Sequence, residues 1–368
     1  MPDDMSGAFT EEQEELRRYA RQWLDEKAPL ETVRKISETA EGFDPDHWSE
    51  LGELGWLGIA VGESYGGSGF GFMELAVLAE EMGRTLYPSP FLSTVVLGAW
   101  LVERLGTEEQ RSEILPALVR GEHRLAVTAG AAAVGDFAAR GEGSNWVVSG
   151  HARFVLDGHT AHTIVVEAAT EAGNRLFLID GKAEGLDRRP LSVMDLTRPQ
   201  AEITATEVEA SPLGEASADD VVAQALDRAV AALAMEQVGG AQACLGMSVE
   251  YAKVRHQFGR PIGSFQAIKH MCADMLTAVE SARSAAYHLA GAVDHDPAEV
   301  AVAAPVAKSF CSEAYEKAAG DTIQIHGGIG FTWEHDAHLY LKRAKSSALL
   351  FGDAGYHRAA LATRLGLE

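Results

Sequence analysis

The chain has 368 residues, 46% of them hydrophobic, which is enough to bury roughly two or three cores without disulfide bonds. Lysine and arginine total 31 against 54 aspartate and glutamate residues, for a formal net charge of −23. Because nucleic acids and anionic membranes would repel such a chain, this charge excludes both as expected partners.

The cysteines and the N-terminal residues indicate a reducing compartment. Cys244, Cys272 and Cys311 are widely spaced, form no CxxC pair and lie in helical patterns, so we expect small core residues rather than disulfides. The first residues are acidic and polar, without a signal-peptide pattern, and no later stretch is apolar for long enough to span a bilayer. The sequence therefore predicts a cytoplasmic protein with no membrane segment.

Helical periodicity extends from Thr10 to about Arg120. Thr10, followed by Glu12 and Gln13, predicts a helix cap, and apolar residues then recur near helical spacing. Within this region the loop at residues 62–71 holds five glycines but matches neither GxGxxG nor the P-loop, so we expect it to be structural.

Around Leu125 the hydrophobic period changes from about 3.6 to 2. Four short runs rich in β-branched residues follow, separated by turn residues. They start at Asn145, Ala152, Thr163 and Arg175. This pattern predicts a small antiparallel barrel or sandwich that ends near Leu213.

Helical patterns then return. Ser217, followed by Asp220, predicts the cap of one helix. Asp296-Pro297 predicts the start of another, because proline fits a first helical position, and Gly327-Gly328 predicts its end.

Two motifs in this last region suggest a site for a phosphorylated ligand. The first, Arg255 to Met275, reads RHQFGRPIGSFQAIKHMCADM and brings a guanidinium near the free N–H groups of a helix start, as a pyrophosphate requires. The second, Gln324 to Phe331, reads QIHGGIGF; its glycines allow close backbone approach to a phosphate, and its amide suits a ribose or an adenine. An ordinary helix-turn-helix and a glycine C-cap are the structural alternatives.

Together the two motifs resemble the signatures of the acyl-CoA dehydrogenase family, and the resemblance covers essentially the whole chain. It implies an α-helical N-terminal domain at residues 1–120, a middle antiparallel β-barrel at 121–215 and a C-terminal four-helix bundle at 216–368. It also implies FAD as cofactor, held mostly by a neighbouring subunit. The implied FAD-binding residues are Arg255, Phe258, Phe265, Gln266, Gln324, Gly327, Gly328 and Thr128.

The chain departs from the family at the catalytic base. Family members use one carboxylate to remove a proton from the α-carbon of an acyl-CoA while the flavin takes hydride from the β-carbon. At the usual glutamate position this chain has Phe351, and at the alternative position on the helix before Arg255 it has Ala229. In the middle domain Thr128 and the aromatic Phe154 match the family, whereas Leu156 replaces a hydroxyl.

The resemblance therefore predicts an FAD-dependent acyl-CoA dehydrogenase subunit whose related partner supplies the glutamate, as a heterotetramer. The implied substrates are CoA esters with bulky groups such as sterol side chains, or dicarboxylic acyl chains, and the implied electron acceptor is an electron-transfer flavoprotein or similar protein. One alternative is a self-sufficient homo-oligomer with a relocated base such as Glu236 or Asp353; another is a non-catalytic scaffold or regulatory protein of the same fold.

Two further groups attract attention near the C-terminus. His335, Asp336 and His338 resemble a short metal cluster, but their spacing lacks a third ligand, so we expect no metal. A basic stretch follows, for which we expect a solvated helix face: Tyr340, Lys342, Arg343 and Lys345.

Overall fold

The structure is a computed structural model that describes residues 9–143, 145–214 and 219–367. Helices precede residue 120, strands occupy residues 125–213 and helices follow from residue 219, so the predicted order is confirmed. The predicted cap at Ser217 lies outside the described residues. None of the described helices has the length and apolarity needed to cross a membrane.

Each predicted helical region contains several helices. The N-terminal ones are α1 Glu11–Lys27, α2 Leu30–Ser37, α3 Pro45–Glu53, α4 Phe72–Thr85, α5 Trp100–Leu105 and α6 Glu108–Val119, with a π-helical stretch at Phe91–Ala99 before α5. The C-terminal ones are α7 Asp219–Val254, α8 Gln266–Ala292, α9 Pro297–His326, α10 Ala337–Leu349 and α11 Ala354–Arg364. Three of these C-terminal helices, α7, α8 and α9, are long, and α10 and α11 are shorter.

Seven strands form the middle region. They are β1 Leu125–Val127, β2 Val134–Glu142, β3 Asn145–Leu156, β4 Thr163–Thr170, β5 Gly173–Asp180, β6 Leu186–Pro190 and β7 Gln200–Leu213. The pairings β4–β2, β2–β3, β3–β7, β7–β5 and β5–β4 close a ring, which confirms the barrel. Its interior is filled by buried side chains that include Phe137, Val148, Ile164, Phe177 and Ile203.

Two details of the barrel differ from the prediction. The runs at Asn145 and Ala152 are one continuous strand, β3, because Gly150 does not turn the chain: it pairs with Phe137, and its missing side chain leaves room for the backbone of β2. The sheet is also not wholly antiparallel, since β4 pairs in parallel with β1 and β2.

The chain divides into two compact units whose segments alternate along the sequence. One contains the described residues up to Arg34, then Phe72–Tyr87, then everything from Ala231 onward; the other contains Lys35–Gly71 and Pro88–Val230. The predicted boundaries 1–120, 121–215 and 216–368 follow secondary structure and stay a prediction.

In the first unit, α4 and α7 approach each other at two glycines. A side chain on Gly83 would overlap the backbone of Glu236, and one on Gly239 would overlap the backbone of Glu80. The approach brings a buried ion network together: Glu80 accepts hydrogen bonds from Arg17, Arg283 and Tyr287. The backbones of α4 and α7 are therefore in direct contact at Gly83 and Gly239, and only glycine, which has no side chain, permits this approach.

Local signals at helix ends are confirmed. Thr10 and Gln13 form a reciprocal capping box at the start of α1. Asp296 caps α9, whose first residue is Pro297. The helix ends at His326, with Gly327 as its C-cap. Of the cysteines, all three are free, Cys244 and Cys311 are buried, and Cys272 is only partly buried.

Candidate functional site

The Arg255 motif forms a short hairpin between two long helices. Helix α7 ends at Val254, and the strands β8 His256–Gln257 and β9 Arg260–Pro261 pair across Phe258 and Gly259. The hairpin is closed by the Ile262 amide, which donates to the Arg255 carbonyl at 2.7 Å. The turn therefore fixes the backbone of Arg255 close to the start of α8.

Polar groups at this start are available to a ligand. The Arg255 side chain is exposed and has no partner among the described residues. Helix α8 begins at Gln266 without a side-chain cap, so its first N–H groups have no side-chain acceptor. This confirms the predicted turn and fresh helix, and the arrangement suits an anionic group.

The aromatic residues of the motif occupy different environments. Phe258 is 91% exposed and has a φ of 52°, a left-handed conformation that a phenylalanine rarely adopts. Phe265 is partly buried, with the Arg260 guanidinium 4.1 Å from its ring centroid. The Phe258 ring meets that of Phe265 edge to face at 6.0 Å between centroids, and Ile262 is buried.

The second motif also presents open backbone. Gln324 is exposed in the last turn of α9, and a 3-10 helix at Gly327–Phe331 follows. An added Cβ on Gly327 or Gly328 would meet nothing within 4 Å, as would one on Gly259. Backbone this open can be approached closely by a phosphate or a sugar, so these residues fit the expected dinucleotide.

Three rings contact one another at the start of that 3-10 helix. The His326 ring lies 4.2 Å from the Tyr251 centroid and 4.3 Å from that of His335. Burial lowers the pKa of His326, so the stack is neutral near pH 7 at this position. Sequence patterns did not reveal this support, because the rings come from three separate segments.

On the barrel, Thr128 follows β1 and is 8% exposed. Its backbone N–H donates to the Val165 carbonyl, but its hydroxyl is buried without a hydrogen-bond partner in the described part of the chain. An unsatisfied buried hydroxyl is costly and fits a position that a ligand completes. Phe154 is 43% exposed with a φ of 63°, and Leu156 is buried.

Phe351 fills the place of the family's glutamate as a core residue. It is 2% exposed and has a φ of 59°, and Gly352 after it has a φ of 98°. The His357 ring donates through Nε2 to the Phe351 carbonyl at 2.9 Å. A buried phenyl ring can neither accept nor donate a proton, so the segment holds its shape without a catalytic group.

A buried lysine supports the same segment. Lys308 of α9 is 0% exposed, and its Nζ donates to the carbonyls of Ala348 and Gly352, both at 3.0 Å, and to Ser312 at 3.1 Å. Neither Lys308 nor His357 was predicted from the sequence. Helical spacing could have indicated the burial of Lys308, because it lies on the same face of α9 as Ala304, Cys311 and Tyr315, all of which are buried.

The other candidate base positions are engaged or apolar. Ala229 is fully buried. Glu236 forms a 2.8 Å ion pair with Arg343, whose side chain is 4% exposed. Asp353 caps α11 by accepting the Tyr356 amide at 2.7 Å. Both carboxylates therefore have structural partners.

The basic stretch in α10 is only in part the expected solvated face, because Lys345 is exposed whereas Tyr340 and Arg343 are buried. Tyr340 and Arg343 are each 3% exposed, since the Tyr340 hydroxyl donates to the Arg84 carbonyl and Arg343 pairs with Glu236.

The residues that resemble a metal cluster contact Arg34 instead. Its guanidinium donates to the His335 backbone carbonyl and to the Asp336 carboxylate. No group of three metal-ligating side chains occurs in the described residues.

With this geometry in hand, comparison with known proteins gives a consistent result. The model of the acyl-CoA dehydrogenase N-terminal domain matches residues 10–122, and that of the C-terminal domain matches residues 220–366. The acyl-CoA dehydrogenase IpdE2 of Mycolicibacterium smegmatis is 35% identical over 347 residues, covering 94% of this chain and 96% of IpdE2. FadE34 of Mycobacterium tuberculosis is 36% identical over 360 residues, but the chain spans only 47% of its length.

Solved structures agree in fold over the same range. A variant of the Tcur3481-Tcur3483 steroid ACAD superposes with a TM-score of 0.88 at 32% identity, covering 97% of this chain and 98% of that one. The ChsE4-ChsE5 complex of Mycobacterium tuberculosis gives a TM-score of 0.89 at 27% identity, covering 98% of both chains.

Proposed function

The chain belongs to the acyl-CoA dehydrogenase family, oxidoreductases that act on CH–CH groups and use FAD, and on this premise we propose that it is the subunit without a catalytic base in a heteromeric enzyme. A related partner subunit supplies the glutamate, and this chain supplies part of the FAD site. The observation that carries the proposal is the buried, apolar state of Phe351 and Ala229, the two positions where the family has its base.

The residues that hold FAD in this proposal are those whose groups are free in the chain itself. Arg255 offers a planar donor pair to a pyrophosphate oxygen, and Gln324, Gly327 and Gly328 offer an amide and open backbone to the adenosine half. Thr128 offers an unpaired hydroxyl. Phe258, Phe265 and Gln266 border the same hairpin. FAD, when bound, supplies hydride acceptance from the β-carbon; the residues of this chain bind and orient it.

The similar structures support the proposed substrate class and partners. One similar structure is described as a steroid ACAD and another as a complex of two proteins, which supports a CoA ester of a bulky, sterol-like acid and a heterotetramer. An electron-transfer flavoprotein or a similar protein is the proposed acceptor. Cytoplasmic localisation stays a prediction from the sequence.

The second candidate is a self-sufficient enzyme with a relocated base. It is disfavoured because Glu236 is held by Arg343 and Asp353 by the Tyr356 amide. A carboxylate paired with a buried guanidinium has a reduced tendency to take up a proton, which is the opposite of what a general base needs.

The test compares the chain alone with the chain purified beside its candidate partner, which an adjacent second dehydrogenase-like gene would identify. Alone, the chain is expected to carry little FAD and to give no acyl-CoA dehydrogenase activity. The complex is expected to carry flavin and to turn over. A fully flavinated homo-oligomer that turns over any acyl-CoA would overturn the proposal.

Phe351 provides a sharper variant. Because it is buried, Phe351→Ala is expected to cost about 3–5 kcal/mol of unfolding free energy and to leave turnover per flavin of the assembled complex unchanged. Denaturant unfolding and flavin absorbance measure the two effects. Loss of turnover in a complex that is fully assembled and flavinated would mean that this pocket takes part in the chemistry.

A further inference from the structure

A polar cavity lies on the barrel unit, outside the residues assigned to FAD. Its volume is about 630 Å³, and it is formed by the first half of α6, the entry to β1, the turn before β4, the end of β5, the middle of β6 and the end of β7. Three permanent cations line it, together with two imidazoles: Arg124, Lys182, Arg188, His123 and His162. A cluster of cations is notable on a chain with a net charge of −23.

Both imidazoles are neutral and fixed. The His162 Nδ1 accepts the Arg124 amide at 3.0 Å, so its ring hydrogen is on Nε2, which has no partner among the described residues. The His123 Nε2 lies 3.0 Å from the Thr163 hydroxyl. Burial, then the charge of Arg124, lowers the pKa of His162 to about 4, and burial lowers that of His123. The imidazoles therefore add no charge to that of the three permanent cations near pH 7.

The cations have donors to spare. The Arg188 Nη1 donates to the carbonyls of Gly158 and Ala161, which fixes the guanidinium and leaves its other N–H groups without a partner in the described chain. The Arg124 Nη2 donates to the Thr160 carbonyl at 3.1 Å, but its Nε is buried and unpaired. Lys182 is exposed and has no ion pair within the described ranges.

Two carboxylates share the cavity, and one of them is already committed. Asp180 accepts the Lys182 amide at 2.6 Å, and Glu113 lies on α6 at the other side. Neither forms an ion pair with the three cations within the described residues. The donors thus outnumber the acceptors that the protein itself supplies.

We propose that this cavity is a binding site for a phosphate dianion, either free phosphate or the phosphate monoester of a nucleotide. A phosphate offers more acceptor oxygens than a carboxylate. This suits the donors of four side chains: Arg124, His162, Lys182 and Arg188. The cavity exceeds the size of phosphate alone, so a nucleoside group can be accommodated beside it. The site is separate from the proposed FAD contacts and does not depend on them.

The test is isothermal titration of inorganic phosphate and, separately, AMP into the full-length chain. Saturable one-to-one binding is expected, and Arg188→Ala should weaken it by about tenfold or more, the effect of losing a charge-assisted hydrogen bond. Since Arg188 also supports two backbone carbonyls, Lys182→Glu serves as a second variant: the residue is exposed, so folding is retained while binding weakens.

Arg189→Ala is the matched control. Arg189 is the next residue on β6, projects from the opposite face and pairs with Asp187, so its loss should leave binding unchanged. Tighter binding of AMP than of phosphate would assign the site to a nucleotide, and equal binding would assign it to free phosphate. No saturable heat with either ligand, or equal affinities in Lys182→Glu, Arg189→Ala and the wild type, would overturn the proposal.

Discussion

Arg255 is an exposed guanidinium whose backbone is fixed by the hairpin at Phe258-Gly259 and whose side chain has no partner in the described chain. A planar donor pair held in this way loses little freedom on meeting a pyrophosphate. In the proposed FAD contact, arginine therefore suits this position better than lysine.

We expect Arg255→Ala, made in this chain only, to weaken FAD binding to the assembled complex by about ten- to a hundredfold, because a charge-assisted hydrogen bond contributes about 1.5–3 kcal/mol. The FAD affinity of Arg255→Lys should lie between those of the wild type and Arg255→Ala, since lysine keeps the charge but not the planar geometry. The measurement is titration of FAD into deflavinated complexes. Lys253→Ala is the control, since Lys253 pairs with exposed Glu250 in the same helix. Identical dissociation constants for Arg255→Ala and wild type would refute the role.

His357 links the segment around Phe351 to pH. Burial, the largest influence, lowers the pKa of His357 from 6.5 to about 4, although the hydrogen bond to the Phe351 carbonyl acts in the opposite direction. Between these two pH values the unfolded state therefore binds more protons than the folded state. The stability that neutral His357 contributes is present above pH 6.5 and is lost as the pH falls toward 4.

We expect the melting temperature of the chain to fall across this pH window, and to fall less steeply in His357→Gln, which keeps a donor for the carbonyl but takes up no proton. His162→Gln provides a comparison, because the pKa of His162 is also lowered to about 4. Melting curves from pH 7 to pH 4 measure the slopes. Equal slopes in wild type and His357→Gln would contradict this assignment.

At the scale of elements, the contact between α4 and α7 depends on small residues. Gly239 faces the backbone of Glu80, which cannot move aside as a flexible side chain could. Gly246, in the same helix, is exposed and has open space around it.

We expect Gly239→Ala to destabilise the chain by about 1–3 kcal/mol or more, because the added methyl overlaps main-chain atoms. Gly246→Ala should instead leave stability unchanged or raise it by up to about 1 kcal/mol, since alanine favours a helix. Denaturant unfolding of both variants measures the difference. Similar changes in the two would mean that the helices separate easily at Gly239.

The elements that could be predicted are those whose signals are local. The Thr10 capping box, the Asp296 cap and the end of α9 at Gly327 each depend on residues a few positions apart. Gly150 was misleading, because its role is to admit the neighbouring strand rather than to turn the chain.

The same reasoning applies to the candidate site. The open glycines and the unpaired Arg255 agree with their motifs, and the position of Phe351 follows from counting along the chain. The burial of Arg343 could not be predicted, because its partner Glu236 is 107 residues away in sequence. Lys308 was missed for a similar reason: its acceptors come from residues 40 and 44 positions later.

At the scale of the whole molecule, large aromatic side chains remain uncovered. Phe258 is 91%, Phe331 79% and Trp333 70% exposed, all in the unit that contains the C-terminal helices. Apolar groups exposed at this level favour association with another subunit.

We expect Phe258→Ala to change the unfolding free energy of the isolated chain by less than about 0.5 kcal/mol, since so exposed a ring makes few contacts. Association with the partner subunit should weaken, as measured by sedimentation of the mixed proteins. Phe72→Ala, at a fully buried position, is the control and should destabilise the chain itself by about 3–5 kcal/mol. Unchanged association in Phe258→Ala would remove the ring from the interface.

The alternation of segments between the two units has a consequence for synthesis on the ribosome. The unit that contains the barrel has all its residues once Val230 has emerged, whereas helix α1 must wait for Ala231 and everything after it. Since domains tend to fold as their residues emerge, the barrel unit should fold first while α1 stays without its final neighbours. Chaperones that protect a nascent chain would accordingly act on α1 until the helices after Ala231 have emerged.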